Sequence, residues 1–325
     1  VKAVRQDEFG PADVLVMAEV PDPEPGPGQV RMDVAAAGVH FIDTTIRAGR
    51  PGGPFPLPEL PMTPGREVAG TVGALGPDVD PAWLGRPVVA HLGPAGGGYA
   101  ERAVTDVTAL HAVPDGASAV DAVAMVGTGR TALGVLEVAA LDATDVVLVT
   151  AAAGGMGPLF VQAARRAGAA VVGLAGGVAK AEKVRGLGAD LVVDYAEPGW
   201  ADRVRESGLV PTALLDGVGG DLGRTALGLL GEGGRAILFG MASGTPTPSE
   251  GPDVDGRGLR VEWAIGPRIA ARPGGLRGLA AAALEALARG ELVPLVNPPF
   301  ALADAAAAHR ALETRATTGK VVLLP

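Results

Sequence analysis

The sequence has no cysteine, which excludes disulfide scaffolds, iron–sulfur clusters, cysteine nucleophiles and zinc sites built on thiolates. Aromatic residues are scarce, with two Tyr, three Trp and six Phe in 325 residues. A pocket densely lined by rings is therefore not expected. Of the 27 basic residues only four are lysines, Lys2, Lys180, Lys183 and Lys320. The arginine bias, with abundant alanine, reads as the mark of a GC-rich genome and not of nucleic-acid binding. A net charge of −9 weighs against a phosphate-backbone partner or an anionic membrane surface. No charged-then-apolar leader opens the sequence, and no run of about 18 apolar residues is expected to span a bilayer. These absences lead to the expectation of a cytoplasmic protein with neither nucleic acid nor membrane as partner.

Hydrophobic residues make up 48% and charged residues 19% of the chain, a globular balance that can build sizeable cores. At roughly 150 residues per domain the length predicts two domains. From the N-terminus to about residue 120, short apolar runs at Val1–Gln6, Val14–Val20, Val30–Ala36, Val68–Leu75, Val88–Leu92 and Tyr99–Val104 read as strands. Proline-rich loops at Pro21–Gly28 and Pro51–Pro64 interrupt them. Then the pattern changes. Strands at Val146–Thr150, Ala170–Leu174, Leu191–Asp194, Ala213–Asp216, Arg235–Phe239 and Leu259–Trp263 alternate with helices at Met156–Ala167, Val178–Leu187, Gly199–Glu206 and Leu222–Leu230. Repeated βα units require right-handed crossovers and a parallel sheet covered on both faces. The tail, with helices at Gly275–Arg289 and Asp304–Glu313 and a strand at Lys320–Leu324, is expected to return to the first domain. The predicted class is α/β, with one domain from residues 1–121 plus 265–325 and an inserted doubly wound Rossmann domain from residues 122–264.

The first strand of the α/β part runs into Ala151, Ala152, Ala153, Gly154, Gly155, Met156 and Gly157, followed by a helix. A dinucleotide pyrophosphate needs close backbone approach and the free N–H groups of a helix N-terminus. Gly154 removes an obstructing Cβ, and Gly157 lets helix pack on strand. Ala151 stands where the usual fingerprint has its first glycine. An NAD site places Asp or Glu after the second strand, about 20 residues on; here Leu174, Ala175, Gly176 and Gly177 offer no carboxylate. The small turn leaves room for a 2′-phosphate and Lys180 follows it, so NADP(H) is the expected cofactor.

Seven runs in order, AGVHFID at 37–43, PGREVAG at 64–70, GYAE at 98–101, AAGGMG at 152–157 with Gln162, LGAD at 187–190, DGVGG at 216–220 and TGKVV at 318–322, resemble the zinc-independent quinone oxidoreductases of the medium-chain dehydrogenase/reductase superfamily. The resemblance covers essentially the whole chain. It implies a GroES-like, partly open β-barrel catalytic domain, an inserted NADPH-binding domain, a cleft between them, and a homodimer through the strand near Leu259–Trp263. By the same resemblance Lys180 takes the 2′-phosphate, Tyr195 lies beside the adenosine and Arg315 near the phosphate. Phe239, Gly240 and Ser243 follow the cofactor toward the nicotinamide, and Thr131 lies below its ring. The family's hydroxyl residue after the second strand is missing, since Gly176 and Gly177 stand there.

In zinc-dependent relatives a histidine stands where this chain has Arg66, which cannot ligate and repels a cation; no metal is expected. Without zinc, a carbonyl or enone oxygen must be polarised by donors and a proton must be supplied. The family usually has Asn where this chain has His40, and tyrosines where it has Thr45 and Pro51. His40 titrates near neutrality and is the candidate proton donor, or else a packing residue. Asp43 is expected to orient a neighbouring donor or to cap a helix. Arg66 is read as a substrate-carbonyl or anion contact, or as a partner of Glu67 or Asp43. His91 is placed near the cleft, whereas His111 and His309 are read as structural. The expected function is NADPH-dependent reduction of quinones or activated double bonds of a small-molecule substrate. Two rivals stand beside it. One is an enoyl-thioester reductase with an acyl carrier protein as partner, recruited by Arg47, Arg50 and Arg66. The other is an NADPH-binding protein with little turnover.

Overall fold

The computed structural model describes residues 1–50 and 57–325. The part of the Pro51–Pro64 loop at 51–56, with Pro51 itself, lies outside the described residues. In chain order the elements are β1 (Lys2–Gln6), β2 (Leu15–Glu19), β3 (Gln29–Val39), α1 (Phe41–Arg47), β4 (Glu67–Leu75), β5 (Pro87–His91), β6 (Arg102–Asp106), β7 (Leu110–Ala112) and α2 (Ala119–Ala124). A single π turn, Met125–Gly129, leads into α3 (Arg130–Ala139). There follow β8 (Val146–Val149), α4 (Gly157–Arg166), β9 (Ala170–Ala175), α5 (Val178–Gly186), β10 (Leu191–Asp194), α6 (Trp200–Glu206), β11 (Ala213–Asp216), α7 (Gly220–Leu227) and β12 (Arg235–Leu238). The chain ends with α8 (Pro252–Gly256), β13 (Arg260–Trp263), α9 (Pro267–Ala270), α10 (Gly275–Ala288), β14 (Phe300–Ala301), α11 (Ala305–Glu313) and β15 (Val321–Leu324).

Two compact units result: Val1–Thr128, Ala280–Gly290 and Val296–Pro325 form the first, and Gly129–Leu279 with Glu291–Leu295 the second. The boundaries drawn at 121/122 and 264/265 fall earlier in the chain than these. The hydrophobic period changes at those positions, whereas the division by packing falls inside helical stretches, after Thr128 and within α10.

In the first unit the strand order is β14-β15-β3-β4-β5-β7, with β6 also on β3 and β1–β2 as a separate ribbon. The eleven-residue β3 is the spine. Its first half pairs with β6 and its last residues with β15, while β4 runs along the other edge. Among the described residues no pairing closes this sheet into a barrel. Alternating apolar residues give the core: Val30, Met32 and Val34 of β3 pack with Val68, Val72, Val88, Leu110 and Leu323. As expected, the C-terminal strand returns to this unit. The strand expected at Tyr99–Val104 begins only at Arg102, as β6. Tyr99 is held in a loop by Tyr99 N–H to Pro64 O and Val4 N–H to Tyr99 O.

One continuous helical stretch, Ala119–Ala139, is long and apolar enough to cross a membrane by length and composition, against the expectation of none. Burial within the protein accounts for 61% of its apolar window, and its first part packs on β3, β4 and β5.

The second unit is a parallel six-stranded sheet in the order β10-β9-β8-β11-β12-β13. This is the doubly wound arrangement, with the order reversing between β8 and β11. Its central strands are continuous apolar runs because both faces are covered; Leu148, Val172, Leu174, Leu214 and Leu238 share one core.

Candidate active site

Antiparallel register brings four strand ends of the first unit together. Ala37 pairs with Val68, Glu67 with His91 and Val39 with Val321. The end of β3, the start of β4, the end of β5 and the approach to β15 therefore meet, carrying His40, Glu67, His91 and Lys320. Glu67 is fully buried and bears two cationic partners: His40 Nε2 lies 2.9 Å from its Oε2, and Lys320 Nζ 2.5 Å from its Oε1. Among the described residues these buried atoms have one another and no further hydrogen-bond partner. Burial alone would push the Glu67 carboxyl up. The charges of His40 and Lys320, the bond from His40 and the more distant His91 outweigh it, so the group is held well below the usual carboxylate range. Gly38 and Gly127 wall the carboxylate in, since an added Cβ would stand 2.0 Å from Oε1 or 2.1 Å from Oε2 respectively.

His40 opens α1. Its N–H donates to Asp43 Oδ2 at 2.8 Å, closing the first helical turn. Its side chain is 22% exposed although Nε2 is sealed against Glu67. The His91 ring lies 6.3 Å from it, with His91 Nδ1 accepting from Gly93 N–H at 3.1 Å. Asp43 also accepts from the buried Tyr99 hydroxyl at 3.2 Å, and His309 Nε2 is 3.1 Å from that hydroxyl. Burial, then the Asp43 charge, raises the Tyr99 phenol well above its ordinary value. Arg66 immediately precedes Glu67, and with Asp43, Gln6, Met62, Gly65 and Gly96 it lines a pocket of about 120 Å3. Thus His40, Asp43 and Arg66 do come to one end of the sheet. Arg47 does not belong to a basic recruiting patch: it is 3% exposed and paired with Glu313 at 2.6 Å. Thr45 lies on α1.

His309 is structural, and it gives a pH signature. Because Tyr99 donates to Asp43, His309 Nε2–H must donate to Tyr99, leaving a buried Nδ1 with no partner among the described residues. Burial pushes the imidazole down to about 4 from 6.5. Below pH 6.5 the unfolded chain takes up a proton here that the folded chain refuses until about pH 4, so stability falls with pH across that window. The expected loss is about 3 kcal/mol. Denaturant unfolding at pH 7 and pH 4 measures it, and His309→Gln should remove this share of the slope.

In the second unit the residues expected to hold a dinucleotide gather at the carboxyl edge of the parallel sheet. Ala153, Gly154, Gly155 and Met156 form the passage from β8 to α4, and Gly157 is the first residue of α4. No side chain caps α4, its first turn carries no acidic residue and Pro158 has no N–H to satisfy. The Gly157 N–H and the positive dipole end are therefore left for an anion, while Leu159 and Phe160 N–H donate to Met156 O. Ala151 adopts the left-handed φ of 46° that the fingerprint's first glycine accommodates, at a cost of about 1–2 kcal/mol for an L-residue. Gly176 follows β9 with the Tyr195 ring against it: an added Cβ would stand 3.0 Å from the phenol. Lys180 sits in the first turn of α5. After β12, Phe239 packs edge-on against Phe160 with centroids 5.1 Å apart, Gly240 lies over the Gly217 backbone, and Ser243 N–H donates to Val218 O. Thr131 is the second residue of α3. Arg315 belongs to the first unit, at φ 57° just beyond α11.

Two family models match the sequence, the alcohol dehydrogenase GroES-like domain over residues 26–115 and the zinc-binding dehydrogenase over residues 187–323. A quinone oxidoreductase of Pseudomonas aeruginosa is 34% identical over 100% of this chain and 99% of its own length. The chain belongs to the quinone oxidoreductase family of the medium-chain dehydrogenase/reductase superfamily. A 2-haloacrylate reductase of a Burkholderia species is also 34% identical, over 99% of this chain and 98% of its own. Among solved structures, a mycobacterial protein in complex with NADPH superposes with a TM-score of 0.87 at 35% identity, covering 100% of this chain and 99% of that one.

This quinone oxidoreductase family member also holds site residues that its sequence did not single out. Glu67 and Lys320 were hidden in apolar strand ends; a lone lysine before VVLL and a glutamate opening a buried strand were the available signals. Asp194, at the end of β10, accepts from Gly177 N–H and Ala196 N–H, which lower its carboxyl. A carboxylate thus does reach the turn after β9, supplied by the neighbouring strand. Buried Asp216 accepts from Thr150 Oγ1 at 2.6 Å and Thr247 Oγ1 at 2.5 Å and from Val218 N–H, fixing the DGVGG loop. Among the described residues, no cluster of three His, Asp or Glu side chains is placed to hold a metal ion.

Proposed function

We propose that this chain is an NADPH-dependent, zinc-independent reductase of quinones and α,β-unsaturated carbonyl compounds. The observation that carries the reading is the uncapped α4 N-terminus at the switch point of the parallel sheet, with Lys180 and Tyr195 flanking the next turn. The N–H groups of Gly155, Met156 and Gly157 would hold the pyrophosphate, with the Gly154 N–H turned in to Ala151 O; Lys180 would hold the 2′-phosphate, and Tyr195 and Gly176 the adenosine side. Thr131, Phe239, Gly240 and Ser243 would line the path of the nicotinamide. When bound, NADPH supplies a hydride from its nicotinamide C4; one proton completes the reduction.

On this reading the second unit binds cofactor and the first supplies the proton. His40 Nε2–H faces Glu67, so Nδ1 is the nitrogen that gives its proton to the substrate and regains one from water. Asp43 fixes the turn that carries His40, and Arg66 meets the substrate oxygen. Zinc independence is supported by donor chemistry, because Arg66 cannot ligate and the chain has no cysteine. The relative named for an activated double bond, the 2-haloacrylate reductase, supports the enone side of the substrate range. We extend the reading to a homodimer: among the described residues β13 ends its sheet with one edge unpaired, and Trp263 is 42% exposed; size-exclusion chromatography tests it.

The cofactor assignment has a direct test. Lys180→Ala is expected to weaken NADPH binding by about 10–100-fold, the worth of a charged hydrogen bond, and to leave NADH binding unchanged. Equal losses for both cofactors would defeat the assignment.

A further inference from the structure

We propose that Lys320 and Glu67 are positioning residues that set the proton affinity of His40, so that the proton donor is a three-residue unit of which His40 alone meets the substrate. The proposal rests on the reading of His40 as donor, but its test does not require turnover.

The geometry supports it in three ways. First, the carboxylate is shared. Lys320 Nζ lies on one Glu67 oxygen and His40 Nε2 on the other, at 2.5 and 2.9 Å, and all of these atoms are buried. A buried carboxylate next to an imidazole favours the imidazolium; a lysine on the same carboxylate opposes it. Second, the carboxylate cannot turn away, because Gly38 and Gly127 close on it from opposite sides. Third, the ring presents two different nitrogens. Nε2 is sealed against the carboxylate and must carry hydrogen, while the exposed 22% of the side chain lies elsewhere on the ring, whose other nitrogen faces the Asp43 N–H of the α1 capping box. The proton that comes and goes is therefore on Nδ1.

The charged and titratable groups that face His40 are Glu67 on β4, His91 on β5, Lys320 before β15 and Asp43 on α1, with Tyr99 behind Asp43 and Arg66 beside Glu67. Glu67 meets the imidazole as an ion partner. His91 acts with the same sign as Lys320 when protonated, but its Nδ1 is occupied by Gly93 N–H. Glu67 and Lys320 are thus the pair whose removal should move His40 in opposite directions, which simple loosening of the fold would not do.

The experiment is a 15N-detected titration of the His40 imidazole in the full chain without cofactor. Lys320→Met should move the His40 midpoint up, and Glu67→Gln should move it down, each by about one pH unit or more. Lys320→Arg, which keeps the charge, should leave it within about 0.3 unit of the wild-type value. Shifts in the same direction, or no shift in either single variant, would overturn the proposal. Should a variant not fold, the wild-type spectrum still decides: Nε2 must keep its proton throughout while Nδ1 changes state, and the reverse assignment would overturn it. With turnover present, the alkaline limb of kcat should follow the same two shifts. Titrations that behave as proposed in a protein without turnover would leave the charge unit standing and remove the donor role.

Discussion

His40→Asn is expected to lower kcat on an enone by about 100-fold or more, the lower range of what a positioned general acid contributes, with NADPH affinity intact. The substitution is chosen to spare the fold. The asparagine amide can still donate toward the buried Glu67 carboxylate, which His40 Nε2 now meets at 2.9 Å, and its backbone N–H still closes the α1 turn on Asp43. What it lacks is a group that titrates. Steady-state kinetics across pH, with cofactor binding measured separately, distinguish the roles. An unchanged kcat would return His40 to packing.

Gly38→Ala carries the largest expected effect on stability, about 3–5 kcal/mol in denaturant unfolding. Its backbone is not at issue; the space is. A Cβ at 38 would stand 2.0 Å from Glu67 Oε1 and 2.7 Å from its Cδ. A glutamate tip elsewhere would swing aside, but here Gly127 closes the far side and Lys320 and His40 hold both oxygens. The clash must therefore break a buried ion pair or shift β3 against β4. A far smaller loss would show that the carboxylate has room that the packing around Gly38 and Gly127 denies it. The same substitution at Gly28, where nothing stands within 4 Å, faces no clash and serves as a control for the left-handed turn alone.

Much of the fold was legible because hydrophobic period reports burial. The apolar runs of β8, β9 and β11 are buried on both faces, and helical stretches separate them, so six βα strands can be placed from sequence within a residue or two. Tyr99 was misplaced because its burial comes from a hydroxyl reaching Asp43 and not from strand pairing. The cofactor side was legible because a phosphate site is local: glycines, a strand end and a helix start adjoin in the chain. The proton side was less so. His40 was found as a departure from its family, but Glu67 and Lys320 are 253 positions apart in the sequence and meet only through the β3–β4 and β3–β15 registers. Asp194 escaped for the same reason, since it serves the turn after β9 from a different strand. Arg47 reads as one of three arginines for a carrier protein because no local pattern announces its partner Glu313.

The measurement that tests the account most directly is NADPH oxidation by the purified protein, with NADH as control, across quinones, α,β-unsaturated ketones and acids, and enoyl thioesters. The account predicts turnover with quinones or enones that prefers NADPH. Turnover confined to enoyl thioesters would move the substrate assignment, and NADPH binding without oxidation in any class would contradict the reductase reading.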